Sequence, residues 1–152
     1  SFQTIMRCHV LISTYWNVNT SRSSENGIQE VVLISTYWNV NERLAKAAEA
    51  VPEMTMIAAH LGGFKLWDDA EKYLAGKYEN VYLDVSVTAD DVSDEQALRI
   101  IKAQGADKVL FGSDAPWDNP MDEINMINRL PLSDEERELI FYKNAEKLIG
   151  VQ

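Results

Sequence analysis

From residue 41 onward the chain alternates short apolar runs with amphipathic helical stretches, and this alternation restricts it to one broad architecture. Asn41 can cap a helix that carries Leu44, Ala47, Ala48 and Val51 on one face and ends at Pro52. Met54 to Ala59 then reads as a strand, and Trp67 to Ala75 as a helix stopped by Gly76. Val81 to Ser86 is rich in strand-forming residues. Ser93-Asp94-Glu95-Gln96 has the capping-box spacing and opens a helix containing Leu98, Ile100 and Ile101, which stops at Gly105. Lys108 to Phe111 reads as the next strand, followed by a helix from Pro120 to Leu130. Ser133-Asp134-Glu135-Glu136 is a second capping box, opening a helix that runs to Ile149 before Gly150. Strands alternating with helices of this length predict an α/β fold of right-handed βαβ units around a parallel sheet. The strands are short and apolar, as strands covered on both faces are.

Two of these strands stop abruptly on residues that carry chemistry. One ends in His60-Leu61-Gly62-Gly63 and another in Gly112-Ser113-Asp114-Ala115-Pro116-Trp117. α/β proteins build their sites at the carboxyl ends of parallel strands, so a His and an Asp delivered there suggest a metal or acid/base site. An imidazole is a side chain suited to proton transfer near neutrality, which makes His60 the acid/base candidate. Gly62-Gly63 permits a close backbone approach behind it. Against this stands the plainer reading of a His satisfied by loop carbonyls, and of an Asp that merely caps a turn. Asp84 shares a strand face with Tyr82 and Ser86 by alternation, which favours a structural hydrogen-bonding role over catalysis. Trp67 and Trp117 can wall a pocket or belong to the core.

Composition narrows the function. The chain has 152 residues, enough for one domain with a real core, and a formal net charge of −10. Such a charge argues against nucleic acid as a partner and against anionic membrane surfaces. No apolar run approaches the roughly 18–20 residues of a membrane span, and the first residues lack the order of a signal peptide. The single cysteine, Cys8, excludes an intrachain disulfide. Together these point to a cytoplasmic protein acting on a small molecule.

The first forty residues differ from the rest. Val10 to Asn19 recurs identically as Val32 to Asn41, with a Ser-rich polar stretch between the copies. Each copy can form a strand ending in an Asn turn. Two short copies do not make a solenoid, so residues 1–41 read as an irregular segment preceding a unit that spans 42–152.

The ordered set Ile57-Ala58-Ala59-His60-Leu61-Gly62-Gly63-Phe64, Trp67, Val81-Tyr82-Leu83-Asp84-Val85-Ser86, Leu110-Phe111-Gly112-Ser113-Asp114-Ala115-Pro116-Trp117 and Asn144-Ala145-Glu146-Lys147-Leu148 resembles the carboxyl-terminal half of the amidohydrolase superfamily. The nearest branch is the metal-dependent hydrolases related to aminocarboxymuconate-semialdehyde decarboxylase. The resemblance implies the last three or four βα units of a (β/α)₈ barrel with a divalent metal, zinc, at its mouth. It implies that Asp114 is a metal ligand that also handles protons, and that His60 acts on substrate or bound water. Trp117 is the substrate-binding candidate. The family's first strand carries a His-x-His pair that this chain lacks. His9, the one other histidine, is the remaining candidate ligand, although its neighbours do not fit the family's pattern.

A barrel of this type typically needs about 250 residues. The implied activity is therefore that of a truncated metal-dependent hydrolase or decarboxylase acting on a small carboxylate or amide. The rival is a non-catalytic half-barrel that associates with further copies of itself through uncovered strand edges and apolar faces.

Overall fold

A computed structural model of the chain describes residues 31–34 and 40–150. Four strands, β1 (Val31–Ile34), β2 (Thr55–Ala58), β3 (Val81–Asp84) and β4 (Val109–Leu110), form one sheet in chain order. All three pairings are parallel: Leu33 lies opposite Ile57, Ile57 opposite Tyr82, and Leu83 opposite Val109. Helices α1 (Val40–Ala50), α2 (Trp67–Tyr73) and α3 (Asp94–Gln104) occupy the crossovers, and α4 (Pro120–Arg129) follows β4. Sequential parallel strands joined by helices are the wedge of a (β/α)₈ barrel expected from the sequence. β1 falls within the segment read as irregular and includes part of the second copy of the duplicated string. The first copy, Cys8 and His9 lie outside the described residues.

Alternation along the strands divides the sheet into two faces. Met56, Ala58, Val81, Leu83 and Val109 enter the main core with Leu44 and Ala48 of α1, Ala97, Ile100 and Ile101 of α3, and Met126 and Ile127 of α4. Ile57, Tyr82 and Leu110 form a smaller buried cluster on the other face, against which Leu148 packs. Both faces are therefore apolar, as the sequence of parallel strands requires.

Buried amides fasten the helices to this sheet. Asn80 Nδ2 donates to the carbonyls of Ala48, Val51 and Met54, closing the end of α1 where Pro52 interrupts it. Gln104 Nε2 donates to Val81 O (2.8 Å) while its Oε1 accepts from Gly76 N (3.0 Å), which ties the end of α3 to the start of β3.

Several local details depart from the sequence expectation. α1 begins at Val40, so Asn41 lies inside the helix and its Nδ2 donates to Leu66 O (3.1 Å). Lys108 belongs to a 3₁₀ turn, Ala106–Lys108, and the strand begins after it. Ser93 caps α3 by accepting from Gln96 N, but the Gln96 side chain donates instead to Asp68 Oδ1 (2.7 Å), so only half of that capping box forms. The Ser133 box is complete. The last helix is not uniform: α5 (Asp134–Glu138) passes through a π-helical turn, Leu139–Lys143, into α6 (Asn144–Ile149). The wider turn sends Asn144 N–H to Leu139 O, and the Ile140 carbonyl accepts from Phe111 N (2.8 Å) just beyond β4. The buried Asn144 side chain donates to Ala106 O (2.7 Å) and Val109 O (2.8 Å), so this helix fastens both ends of the β4 segment.

Candidate active site at the carboxyl edge of the sheet

The chain leaves β2 through a left-handed turn. His60 has φ +59° and Leu61 φ +52°, conformations that L residues adopt at a cost of about 1–2 kcal/mol each. Three observations explain why the turn holds. Leu61 is fully buried and its N–H donates to Asp84 O (2.6 Å). Trp67 is buried too, and its Nε1 donates to His60 O (2.9 Å). Gly62, at φ +94°, lets α2 approach so closely that a Cβ there would lie 2.8 Å from Ala70 Cβ. Trp67 is thus a core residue that fixes the His60 backbone.

Asp84, at the end of β3, organises the same corner. Its Oδ1 accepts from His60 N (3.0 Å), Ser86 N (3.0 Å) and Ser86 Oγ (2.5 Å). His60 Nδ1 lies 2.8 Å from Ser86 O and 3.1 Å from Ser86 Oγ. Burial pushes the Asp84 carboxyl above its ordinary value, and the hydrogen bonds from Ser86 and His60 oppose that rise. Gly112, after β4, packs on this pair: a Cβ there would lie 3.4 Å from Ser86 Cβ and 3.6 Å from Asp84 Cγ. The structural role for Asp84 expected from the sequence is the one its bonds describe. Ser86 had no assigned role beyond sharing that strand face. The available signal was the Asp-x-Ser spacing itself.

Asp114 follows β4 by four residues, in a turn with φ +53° and ahead of a cis Ala115–Pro116 bond. Its carbonyl accepts from Trp117 N (3.0 Å), and its half-buried side chain has no hydrogen bond among the described residues. Because β2 and β4 run parallel, His60 and Asp114 both leave the sheet at its carboxyl edge. Trp117 is 80% exposed and so is no part of the core.

A catalytic metal of the zinc type takes about three protein ligands and an open position. Asp114 offers a carboxylate unengaged by the described residues, which is the chemistry of one such ligand. Among the described residues, no set of three neighbouring His, Cys, Asp or Glu side chains includes it or His60. The set that does gather is Asp90, Asp118 and Asp122, with oxygens within 4.8 Å of one another, and it includes neither residue. Asp114 therefore fits as a single ligand, and the described residues do not complete a site.

The family follows from comparison with known proteins. A family model described as amidohydrolase matches residues 36–151. The chain belongs to the amidohydrolase family. Among solved structures, an amidohydrolase from Burkholderia multivorans with bound zinc is 13% identical at a TM-score of 0.70, over 81% of this chain and 53% of that one. An amidohydrolase from Bifidobacterium longum is 22% identical at a TM-score of 0.64, over 83% and 51%. A dihydroxybenzoic acid decarboxylase from Polaromonas, with bound manganese and the inhibitor 2-nitroresorcinol, is 21% identical at a TM-score of 0.58, over 73% and 39%. These likenesses show the fold. This chain spans about two fifths to one half of those proteins' length. No curated protein matches the sequence.

Proposed function

We propose that this chain forms the carboxyl-terminal part of a metal-dependent amidohydrolase barrel that hydrolyses or decarboxylates a small carboxylate- or amide-bearing molecule. The observation that carries the reading is the emergence of His60 and Asp114 at the same edge of a parallel sheet in a chain of this family. A divalent ion held by Asp114, with zinc as the first candidate, would supply Lewis-acid polarisation of a substrate oxygen. His9 is the further ligand the proposal names, and it lies outside the described residues.

His60, fixed by Trp67 and the Asp84 corner, would carry a proton between substrate or water and solvent. The Asp114 carboxylate can accept a proton as the reaction proceeds. Trp117, on the loop beyond β4, offers a flat face to a planar substrate. A small-molecule substrate and a cytoplasmic setting complete the proposal. The net charge of −10 weighs against a nucleic-acid partner, and no helix of the described residues is long and apolar enough to cross a membrane.

The second reading, a non-catalytic half-barrel that associates with further copies, is favoured by one observation. Among the described residues β1 and β4 each have a strand on one side only, so the sheet is open at two edges.

The test supplies the chain with Zn²⁺ or Mn²⁺ and a panel of small aromatic carboxylates and amides, and follows release of CO₂ or of free acid. Turnover that falls at least about a hundredfold in both His60→Gln and Asp114→Asn supports the enzyme reading. Turnover indifferent to both substitutions refutes these roles. Metal-loaded chain with no turnover on any substrate favours the half-barrel.

A further inference from the structure

Tautomer is the one property of His60 that its surroundings dictate without any ligand. A carbonyl oxygen can only accept a hydrogen bond. Ser86 O sits 2.8 Å from His60 Nδ1, so that nitrogen carries the proton. The serine hydroxyl fits the same assignment. Its own hydrogen is committed to Asp84 Oδ1 at 2.5 Å, which leaves an oxygen lone pair facing His60 Nδ1 at 3.1 Å. The chain of donation therefore runs one way, from His60 Nδ1–H to Ser86 and from Ser86 Oγ–H to Asp84. Nε2 has no hydrogen bond among the described residues, and in a neutral ring it is the nitrogen with the free lone pair.

We propose that Asp84 and Ser86 are positioning residues that hold His60 as the Nδ1–H tautomer, so that Nε2 is its single basic atom at the carboxyl edge of the sheet. The inference rests on the reading of His60 as a proton carrier for its use, but not for its test. Asp84 acts on His60 through both its backbone and its ring. The same Oδ1 binds the His60 backbone N–H and orients the hydroxyl that binds the ring. Ser86 is itself buried, at 4% exposure. When Nε2 takes a proton from substrate or water, the imidazolium keeps its Nδ1–H bond to the Ser86 oxygens. Its positive charge then lies one hydroxyl away from the Asp84 carboxylate. When Nε2 gives the proton up, the ring returns to the same tautomer and is ready for another cycle. Without the clamp the ring could protonate on either nitrogen, and a fraction of molecules would present an N–H where a base is needed.

The chain contains only two histidines, so its ¹⁵N-histidine spectrum can be assigned with a His9→Gln variant. Long-range ¹H–¹⁵N correlation on the free chain, above the titration range of the rings, reads which nitrogen of His60 carries the proton. The expected result is a protonated-type Nδ1 and a free Nε2. Ser86→Ala removes one of the two acceptors at Nδ1 and should lower the Nδ1–H to Nε2–H ratio by about two- to tenfold, the worth of one hydrogen bond. Ser86→Thr, which restores the hydroxyl, should restore the ratio. Asp84→Asn should move it in the same direction as Ser86→Ala.

A wild-type His60 found as Nε2–H, or as an even mixture of both forms, overturns the inference whether or not the variants fold. A ratio unchanged in folded Ser86→Ala and Asp84→Asn overturns the assignment to these two residues. Because no substrate or metal takes part, a clamp found intact in a chain without turnover sinks the catalytic reading alone.

Discussion

Replacing Gly62 by Ala should be the most damaging single methyl that can be added near the site. The new Cβ would stand 2.8 Å from Ala70 Cβ and 3.4 Å from Leu74 Cδ1, whereas carbon atoms in contact settle at about 3.5–4.0 Å. Helix α2 must retreat by roughly 1 Å, and overpacking of this kind costs about 1–3 kcal/mol. The φ of +94° adds about 1–2 kcal/mol for a residue with a Cβ. The sum, about 2–5 kcal/mol, is a large part of the stability of a domain this size. With an m-value of about 2 kcal/mol per molar urea, the midpoint should drop by about 1–2.5 M.

A second substitution separates the two terms. Ala70→Gly by itself costs about 1 kcal/mol of helix propensity and the burial of one methyl. In the double variant the steric part of the Gly62 penalty should vanish and the backbone part remain. Urea unfolding followed by far-UV circular dichroism across the four-member cycle should therefore show a favourable coupling of about 1–3 kcal/mol. Additive costs would mean that Ala70 does not exclude the Cβ, and that the close approach of α2 to the His60 turn is not what requires a glycine there.

Three further outcomes are expected. Ser133→Ala should destabilise the chain by about 1 kcal/mol, and by more than Ser93→Ala, because the first loses a reciprocal box and the second a one-way cap; equal losses in urea titrations would contradict this. Burial raises the Glu123 carboxyl above its ordinary value of 4.5, so its contribution to stability is full below that pH and is lost as pH rises through the folded value. Glu123→Gln should accordingly gain stability relative to the parent as pH rises from about 4.5 toward neutrality, and a difference independent of pH would remove Glu123 as the cause. Sedimentation at several concentrations should show the weight-average mass rising with concentration if the two open sheet edges pair with further copies, and a compact monomer throughout would reject that pairing.

The fold was legible because its signals are repetitive. Strands bounded by helix caps and stops were visible at Ser93, Gly105, Pro120, Ser133 and Gly150, and the sheet order follows from chain order once every connection is a crossover. Partner choice by side chains that could do two things was not legible. Gln96 satisfied the capping pattern but reaches Asp68, and Asn41 had a cap signature but serves the loop before α2. The π-helical turn carries no composition signal. It arises where Ile140 must meet Phe111 N while Asn144 keeps both of its carbonyl partners around β4.

At the proposed site, the candidate residues with reactive groups stood out in the sequence and the residues proposed to aim them did not. His60 and Asp114 were visible because strand ends next to glycine are where chemistry gathers in such folds. The geometry shows why His60 needs its neighbours. A strand continued past Ala58 would alternate its side chains across the sheet, but the left-handed turn at His60 and Leu61 swings the imidazole toward β3 and onto Ser86. That turn is unfavourable by itself. It persists because Leu61 is buried, its N–H is bonded to Asp84 O, and Trp67 holds the His60 carbonyl. The same strand end thus supplies both the bond that stabilises the bend and the carboxylate that orients the ring. Loosening Asp84 should disturb backbone and imidazole together, whereas loosening Ser86 should disturb the imidazole alone.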